Sequence, residues 1–444
     1  MNIKLSDHFT YRKLLRFTLP SIAMMIFTSI YGVVDGYFVS NFAGKEPFAA
    51  VNLIMPFIMI VATVGFMFGT GGTALVSKTF GEGDPERANR YFSLFVYASF
   101  LLGILFSILG IVFLRPISRL LGATGTLLDN CVLYGTIVVA AMPFFILQLL
   151  FQSFFVTAEK PTLGFWVIVA GGVTNMIGDA VLVTLLPQEQ KIAGAAIATA
   201  LGQIVGGGVP LIYFFRKNPS ILRLGKTRFD ARALWKAATN GVSELVNSAA
   251  MSVVGMVMNV QLLKYAGEDG VAAYGVMMYV SMIFSGVFIG YSIGTAPVIG
   301  FHFGAKNRDE LHSILKKSLI LLLIGGAAMT AAAEGLAKPL ALLFVGYDAD
   351  LMRLTESGFR IFSIAFFFMG FAIFGSGFFT ALNDGVTSAI ISFLRTLVFE
   401  LAAILLLPFL FDTTGLWFSI VVAELMATAL SFLFIVRKRS RLGY

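Results

Sequence analysis

Asp35 and Asp179 are the residues on which chemistry could be built. Both fall inside long apolar runs, and the first half of the chain has no Lys or Arg within such a run to pair with either. An ionisable group at bilayer depth costs on the order of 2.5–3.5 kcal/mol on insertion scales, so an unpaired one needs a reason. Asn175 stands one helical turn from Asp179 on the same face, and Thr199 and Gln203 follow one turn apart on the next run. Counted at 1.5 Å per residue, Asp35 and Asp179 lie about 9 and about 12 Å from the outer ends of their helices, a depth at which they can meet. Carboxylate, amide and hydroxyl oxygens gathered there suit a cation, with Na⁺ held by Asp35, Asn175 and Asp179. They equally suit a proton, since desolvation and a neighbouring carboxylate both favour the neutral acid. The structural alternative has two protonated acids capping backbone groups at helix breaks beside Gly36 and Gly178.

The second half carries more balanced charge. Arg360, Glu400 and Glu424 fall about 15 Å from the outer face and Arg395 somewhat deeper, which predicts a structural ion-pair network among the four. Glu244, about two turns into the seventh run, has no basic residue in obvious reach and is the second-half candidate for ion coupling. Met251, Met256, Met258, Met277, Met278 and Met282 cluster on the seventh and eighth runs, and flexible Met and aromatic faces suit apolar or cationic ligands. One cysteine, Cys131, and three histidines leave no framework for a disulfide, a zinc site or another metal cluster. The sequence predicts no cofactor and no enzyme.

The elements that must position these residues are membrane helices. Of 444 residues, 58% are hydrophobic and 13% charged, and the mean hydropathy is +0.87. Runs of about 20 apolar residues are what a helix needs to cross the bilayer. Twelve are found, at 14–41, 49–77, 91–114, 130–157, 162–186, 192–215, 235–263, 271–301, 313–333, 351–381, 385–410 and 413–436. Period-2 alternation is missing, which excludes a β-barrel. The net charge of +8 sits in the loops and reads as a topology signal, with no nucleic acid implied. Of the 32 Lys and Arg, 23 fall on the side holding both termini and seven on the other, so both termini are expected in the cytoplasm and the protein in the plasma (inner) membrane. The basic N-terminus followed by an uninterrupted apolar run reads as a retained first span.

The chain also repeats itself. A constant offset of 223 pairs Gly44 with Gly267, Gly71 with Gly294, Phe80-Gly81 with Phe303-Gly304, Pro116 with Pro339, Phe144-Phe145 with Phe367-Phe368 and Thr157-Ala158 with Thr380-Ala381. Six spans return the chain to its starting side, so the repeats point the same way. The expected fold is an all-α integral membrane protein of twelve transmembrane helices in two parallel six-helix lobes, related by a pseudo-twofold axis along the membrane normal. The lobes divide as 1–216 and 235–444, joined by a basic cytoplasmic linker at 217–234. Two equivalent lobes with a cleft between them are the architecture of an alternating-access carrier.

Several motifs together resemble the multidrug and toxic compound extrusion (MATE) family, nearest its bacterial branches. They are Thr18-Leu-Pro20, Asp35, Phe80-Gly-Glu-Gly-Asp84 with Arg87, Glu159-Lys-Pro161, Asn175 with Asp179, and the run from Gly194 to Gln203. The resemblance covers nearly the whole chain. It implies an antiporter that expels cationic or amphipathic small molecules in exchange for Na⁺ or H⁺, works as a monomer in the lipid bilayer, and binds its coupling ion at Asp35, Asn175, Asp179 and Thr199. Glu244 matches a seventh-span acid used in some branches, whereas the tenth span, with Gly370 and Ser376, lacks the acid that other branches place there. Two other readings remain at this stage. A lipid-linked oligosaccharide flippase of the same superfamily would need a cationic cavity, and an uncoupled channel or sensor would ignore ion gradients.

Overall fold

The computed structural model describes residues 3–444. Lipid offers no partner for backbone N–H and C=O groups, so each apolar run closes its hydrogen bonds internally as a helix. In chain order the helices are α1 (Tyr11–Ala43), α2 (Lys45–Gly81), α3 (Pro85–Leu120), α4 (Gly125–Ala140 bent by 57° into Met142–Thr157), α5 (Pro161–Val183) and α6 (Lys191–Phe215). A 74-residue helical stretch follows, turning at Gly267 (φ 64°) into α7 (231–266) and α8 (268–304). Then come α9 (Arg308–Val345), α10 (Ala349–Ser363 bent by 45° into Ala365–Ala381), and α11 (385–411) and α12 (413–442), which meet at Asp412. All twelve expected spans are present. The exposed stripe Leu101, Leu105, Ile108 and Val112 on α3, at helical spacing, is the kind of surface a bilayer covers.

The repeat seen in the sequence is written into the backbone. Gly44 and Gly267 both take positive φ where the first hairpin of each lobe turns, and so do Gly83 and Lys306 at the second. Asp84 and Asn307, again 223 apart, each cap the following helix by accepting an N–H three residues on. The bends after Ala140 and Ser363 keep the same offset. The side chains have diverged: Asp35 corresponds to Met258, a core residue with no exposure, and Glu244 corresponds to Ser21.

The two lobes touch in the half that carries both termini. There α2 lies so close to α7 that a Cβ on Gly241 would come within 1.9 Å of the Met67 carbonyl, and one on Gly71 within 2.0 Å of Ala237. The ends of α2 and α8 cross equally tightly at Gly81 against Phe301 and Gly304 against Lys78. Asn383 ties the seam, donating from Nδ2 to Ala74 O and accepting from Asn240 Nδ2, both at 2.9 Å. A strap of N-terminal residues crosses beneath it. Leu5 N donates to Glu159 Oε1 at 2.7 Å in the first lobe, while Phe9 N donates to Glu310 Oε1 at 2.8 Å and His8 pairs with the same carboxylate at 2.6 Å in the second. Burial pushes the Glu159 carboxyl above its ordinary range, with the Leu5 N–H drawing it partly back. Toward the opposite face, Gly32 and Gly36 on α1 and Gly255 and Gly275 on α7 and α8 have open space beside them. The close crossings of the lobes therefore lie on the side of the termini.

A side chain at Gly241 cannot fit without separating that crossing. Gly241→Leu is expected to cost about 1–3 kcal/mol of seam packing, read as a lower melting temperature. A cysteine placed at Ser77 should then label faster from the termini side than in the Gly241 parent.

Candidate functional site

The first-lobe candidates are brought together by irregular helix. Five-residue π segments close α1 (Val39–Ala43) and α5 (Asp179–Val183), and the second begins on Asp179 itself. A third π segment, Leu394–Phe399, carries Arg395 and ends beside Glu400. Each π turn widens the helix by one residue and redirects a side chain that regular spacing would send elsewhere, a device frequent at functional sites. Every one of these segments adjoins an ionisable group within a span.

Asp35, half-buried, lies near both Asp179 and Asn175. Asp179 is fully buried and Asn175 is 4% exposed. Asn175 Nδ2 points to Thr199 Oγ1 at 3.5 Å, a long contact that leaves the amide oxygen uncommitted. Among the described residues, Asp35 Oδ1, both oxygens of Asp179 and Asn175 Oδ1 have no hydrogen-bond donor, and neither acid enters an ion pair. Two facing carboxylates without a base repel strongly in a medium of low dielectric, so the pair must hold a proton or a cation to be charge-balanced. Among the described residues no group of three His, Cys, Asp or Glu could hold a metal ion. The donor set of two carboxylates, one amide and one hydroxyl, all oxygen or nitrogen and weakly organised, instead suits a monovalent cation or a proton.

Sequence reasoning missed three residues around this pair. Tyr31 on α1 faces Gln148 of α4, and Tyr134, also on α4, reaches toward Thr199; both ring hydroxyls lie near Asp35. Gln148 and Gln203 are 4% and 5% exposed, each with an uncommitted Oε1. A glutamine within an apolar run is as visible in the sequence as an aspartate, and its burial cost was the available signal. Gln203 follows Thr199 by one turn on α6.

In the second lobe, Arg395 and Glu424 form a bidentate pair, with Nε at 3.0 Å from both carboxylate oxygens and a guanidinium NH₂ at 2.7 Å from Oε1. Glu400 lies near this pair without bonding to it. The four-residue network is corrected at Arg360. That side chain is half exposed and pairs with Glu334 of α9 at 3.2 Å and Glu356 of its own helix at 3.0 Å. The physical reason is helical phase: Glu356 precedes Arg360 by four residues and turns the guanidinium to the outer face of α10, away from Arg395. Glu244 is half-buried, and among the described residues no hydrogen bond or ion pair engages it. The methionine face divides, with Met258 and Met277 in the core and Met251, Met256 and Met282 exposed. The second segment of α10, Ala365–Ala381, has no acid: Ser376 Oγ bonds the Ser388 and Ser392 hydroxyls, and Gly370 packs on Phe288.

Comparison with known proteins agrees with this fold. The MatE family model matches the chain twice, over residues 20–181 and 245–405. The chain is similar to the multidrug export protein MepA of Staphylococcus saprophyticus, at 24% identity over 97% of this chain and 95% of that one, and to MepA of Staphylococcus haemolyticus, at 23% over 97% and 94%. Among solved structures it resembles a MATE protein in complex with MaL6, with a TM-score of 0.92, 21% identity and 98% of both chains covered. It also resembles the outward-facing conformation of a multidrug resistance MATE family transporter of the MOP superfamily, with a TM-score of 0.91, 22% identity and coverage of 98% and 97%.

The buried Arg395–Glu424 pair is testable by asymmetric removal. Arg395→Met strands Glu424 without a partner and is expected to destabilise by about 3–5 kcal/mol. The double variant Arg395→Met/Glu424→Met should recover most of the melting temperature, since it removes both desolvated charges.

Proposed function

The chain belongs to the MatE family, and from that premise we propose that it is a secondary active antiporter that exports cationic or amphipathic drugs in exchange for Na⁺ or H⁺. Its localisation follows from composition: a multi-pass protein of the plasma (inner) membrane with both termini in the cytoplasm, given the excess of Lys and Arg on that side. In this orientation the close crossings of the lobes face the cytoplasm. The lobes at 1–216 and 235–444 move as bodies about the linker at 217–234.

The observation that carries the reading is the pair of facing carboxyls, Asp35 and Asp179, with no basic partner. A coupling ion shifts a conformational equilibrium only by binding its two states unequally. Arrival of Na⁺ or H⁺ from outside neutralises the pair, reorganises α1 and α5 around it, and disfavours the drug-holding conformation. Asn175 and Thr199 supply further oxygens to that ion, and Tyr31 and Tyr134 orient the shell. The surroundings of the pair bring in Tyr31 and Tyr134, and among the described residues no Lys or Arg pairs with either acid, which suits positively charged drugs and opposes a pyrophosphate-linked cargo. The second-lobe acid Glu244 is a further candidate for coupling, whereas Glu400 belongs to the charge network around Arg395 and Glu424.

Asp35→Asn is expected to lower ethidium efflux more than about tenfold while membrane levels stay at wild type. Imposing Na⁺ and H⁺ gradients separately on everted vesicles should show one of them driving wild-type efflux and neither driving the variant. Wild-type efflux by Asp35→Asn, or equal rates with and without both gradients, would overturn the reading.

A further inference from the structure

We propose that the first lobe contains a second, hydrated cation site beneath the acid pair, built on Gln148 and Gln152 of α4, through which the coupling ion leaves toward the cytoplasm. The inference rests on the coupling role proposed for Asp35 and Asp179. Gln152 is 1% exposed, and neither its Oε1 nor its Nε2 has a hydrogen-bond partner among the described residues. Gln148, one turn nearer the acids, likewise leaves Oε1 uncommitted. An unengaged amide in the middle of a membrane lobe costs stability that any apolar residue would spare. Its flanking residues on α4 are Phe151 and Ser153, and the Ser153 hydroxyl is likewise without a partner among the described residues.

The placement gives the amides a use. Tyr31 lies one turn on the cytoplasmic side of Asp35 and faces Gln148. On the facing helix α6, the absence of a side chain at Gly206 admits Gln148, whose Oε1 would lie 2.7 Å from a Cβ there. α4 runs from the outer face to the cytoplasmic one, so Gln148 and then Gln152 continue downward from the acid pair, with Gln203 descending in parallel on α6. Amide oxygens ligate monovalent cations and order water without the charge that would trap the ion. A neutral polar file beneath a charged site therefore offers departure where the carboxylates offer capture.

An antiporter cannot have such a file open at both ends, and this one is closed below. Past Gln152 come the buried Phe155 and Val156, and Val156 belongs to one apolar cluster with Leu5, Phe9 and Phe17 of the N-terminal strap and α1. The strap that ties Glu159 to Glu310 thus stands over the end of the file.

Gln152→Leu removes both uncommitted atoms at similar volume and separates the possible roles. If the amide is idle, the variant melts at or above the wild-type temperature and exports ethidium at the wild-type rate, which would overturn the proposal. The expected result is the same or higher melting temperature with gradient-driven efflux lowered about tenfold. Displacement of bound ethidium from the purified transporter by Na⁺ or by acid should keep its wild-type midpoint, because the acid pair is intact. Loss of that displacement in Gln152→Leu would place the residue in the upper site and also overturn the exit role. Gln152→Asn, which keeps an amide, should restore most of the efflux, and Gln148→Met serves if Gln152→Leu does not fold. Failure of the underlying reading looks different: Asp35→Asn would then leave cation displacement of ethidium unchanged, whatever the Gln152 variants do.

Discussion

The structure depends on the repulsion between two carboxyls that have no base to neutralise them. Hydrocarbon cannot solvate a charge, so a lone buried acid is tolerated only where something mobile completes it. Asp35 and Asp179 approach each other from different helices, with Asn175 nearby and Thr199 at its side. Their mutual charge makes the local backbone sensitive to whether a cation is present. The π segments at the ends of α1 and α5 supply the compliance, since a widened turn has weaker hydrogen bonding than regular helix. The two acids thus link two helices at one point.

The two lobes answer the cost of buried charge in opposite ways. In the second lobe Arg395 grips Glu424 with three close N···O contacts, a self-contained pair that needs nothing from solvent. The first lobe keeps its acids open, and Asp35 meets its counterpart in the repeat as Met258, an apolar core residue. Duplication preserved the turns, caps and bends of the backbone while the charge diverged, which leaves unpaired acids in one lobe and a closed ion pair in the other. The lobes meet through close helix crossings. With Gly241 against Met67 and Gly304 against Lys78, the backbones of opposite lobes touch directly, so a small tilt of one lobe cannot be absorbed by side chains.

Twelve helices, their order, the twofold repeat and the excess of basic residues on one side were all legible in the sequence. Each follows from a local or counting rule: a helix must satisfy its own backbone in lipid, an even number of spans returns the chain to its starting side, and a fixed offset reports duplication. The pairing of Asp35 with Asp179 was legible too, because depth along a straight helix converts residue number into distance. What tertiary structure alone decided were the matters of rotation and reach. It turned Arg360 outward to Glu334 and Glu356, divided the methionines between core and surface, and brought Tyr31, Tyr134 and Gln148 to the acids. It also passed the N-terminal strap from one lobe to the other and set the close crossings on the side of the termini. Depth depends on one coordinate that counting supplies, whereas the face a side chain presents depends on bends, π turns and helix crossings that accumulate over the whole lobe.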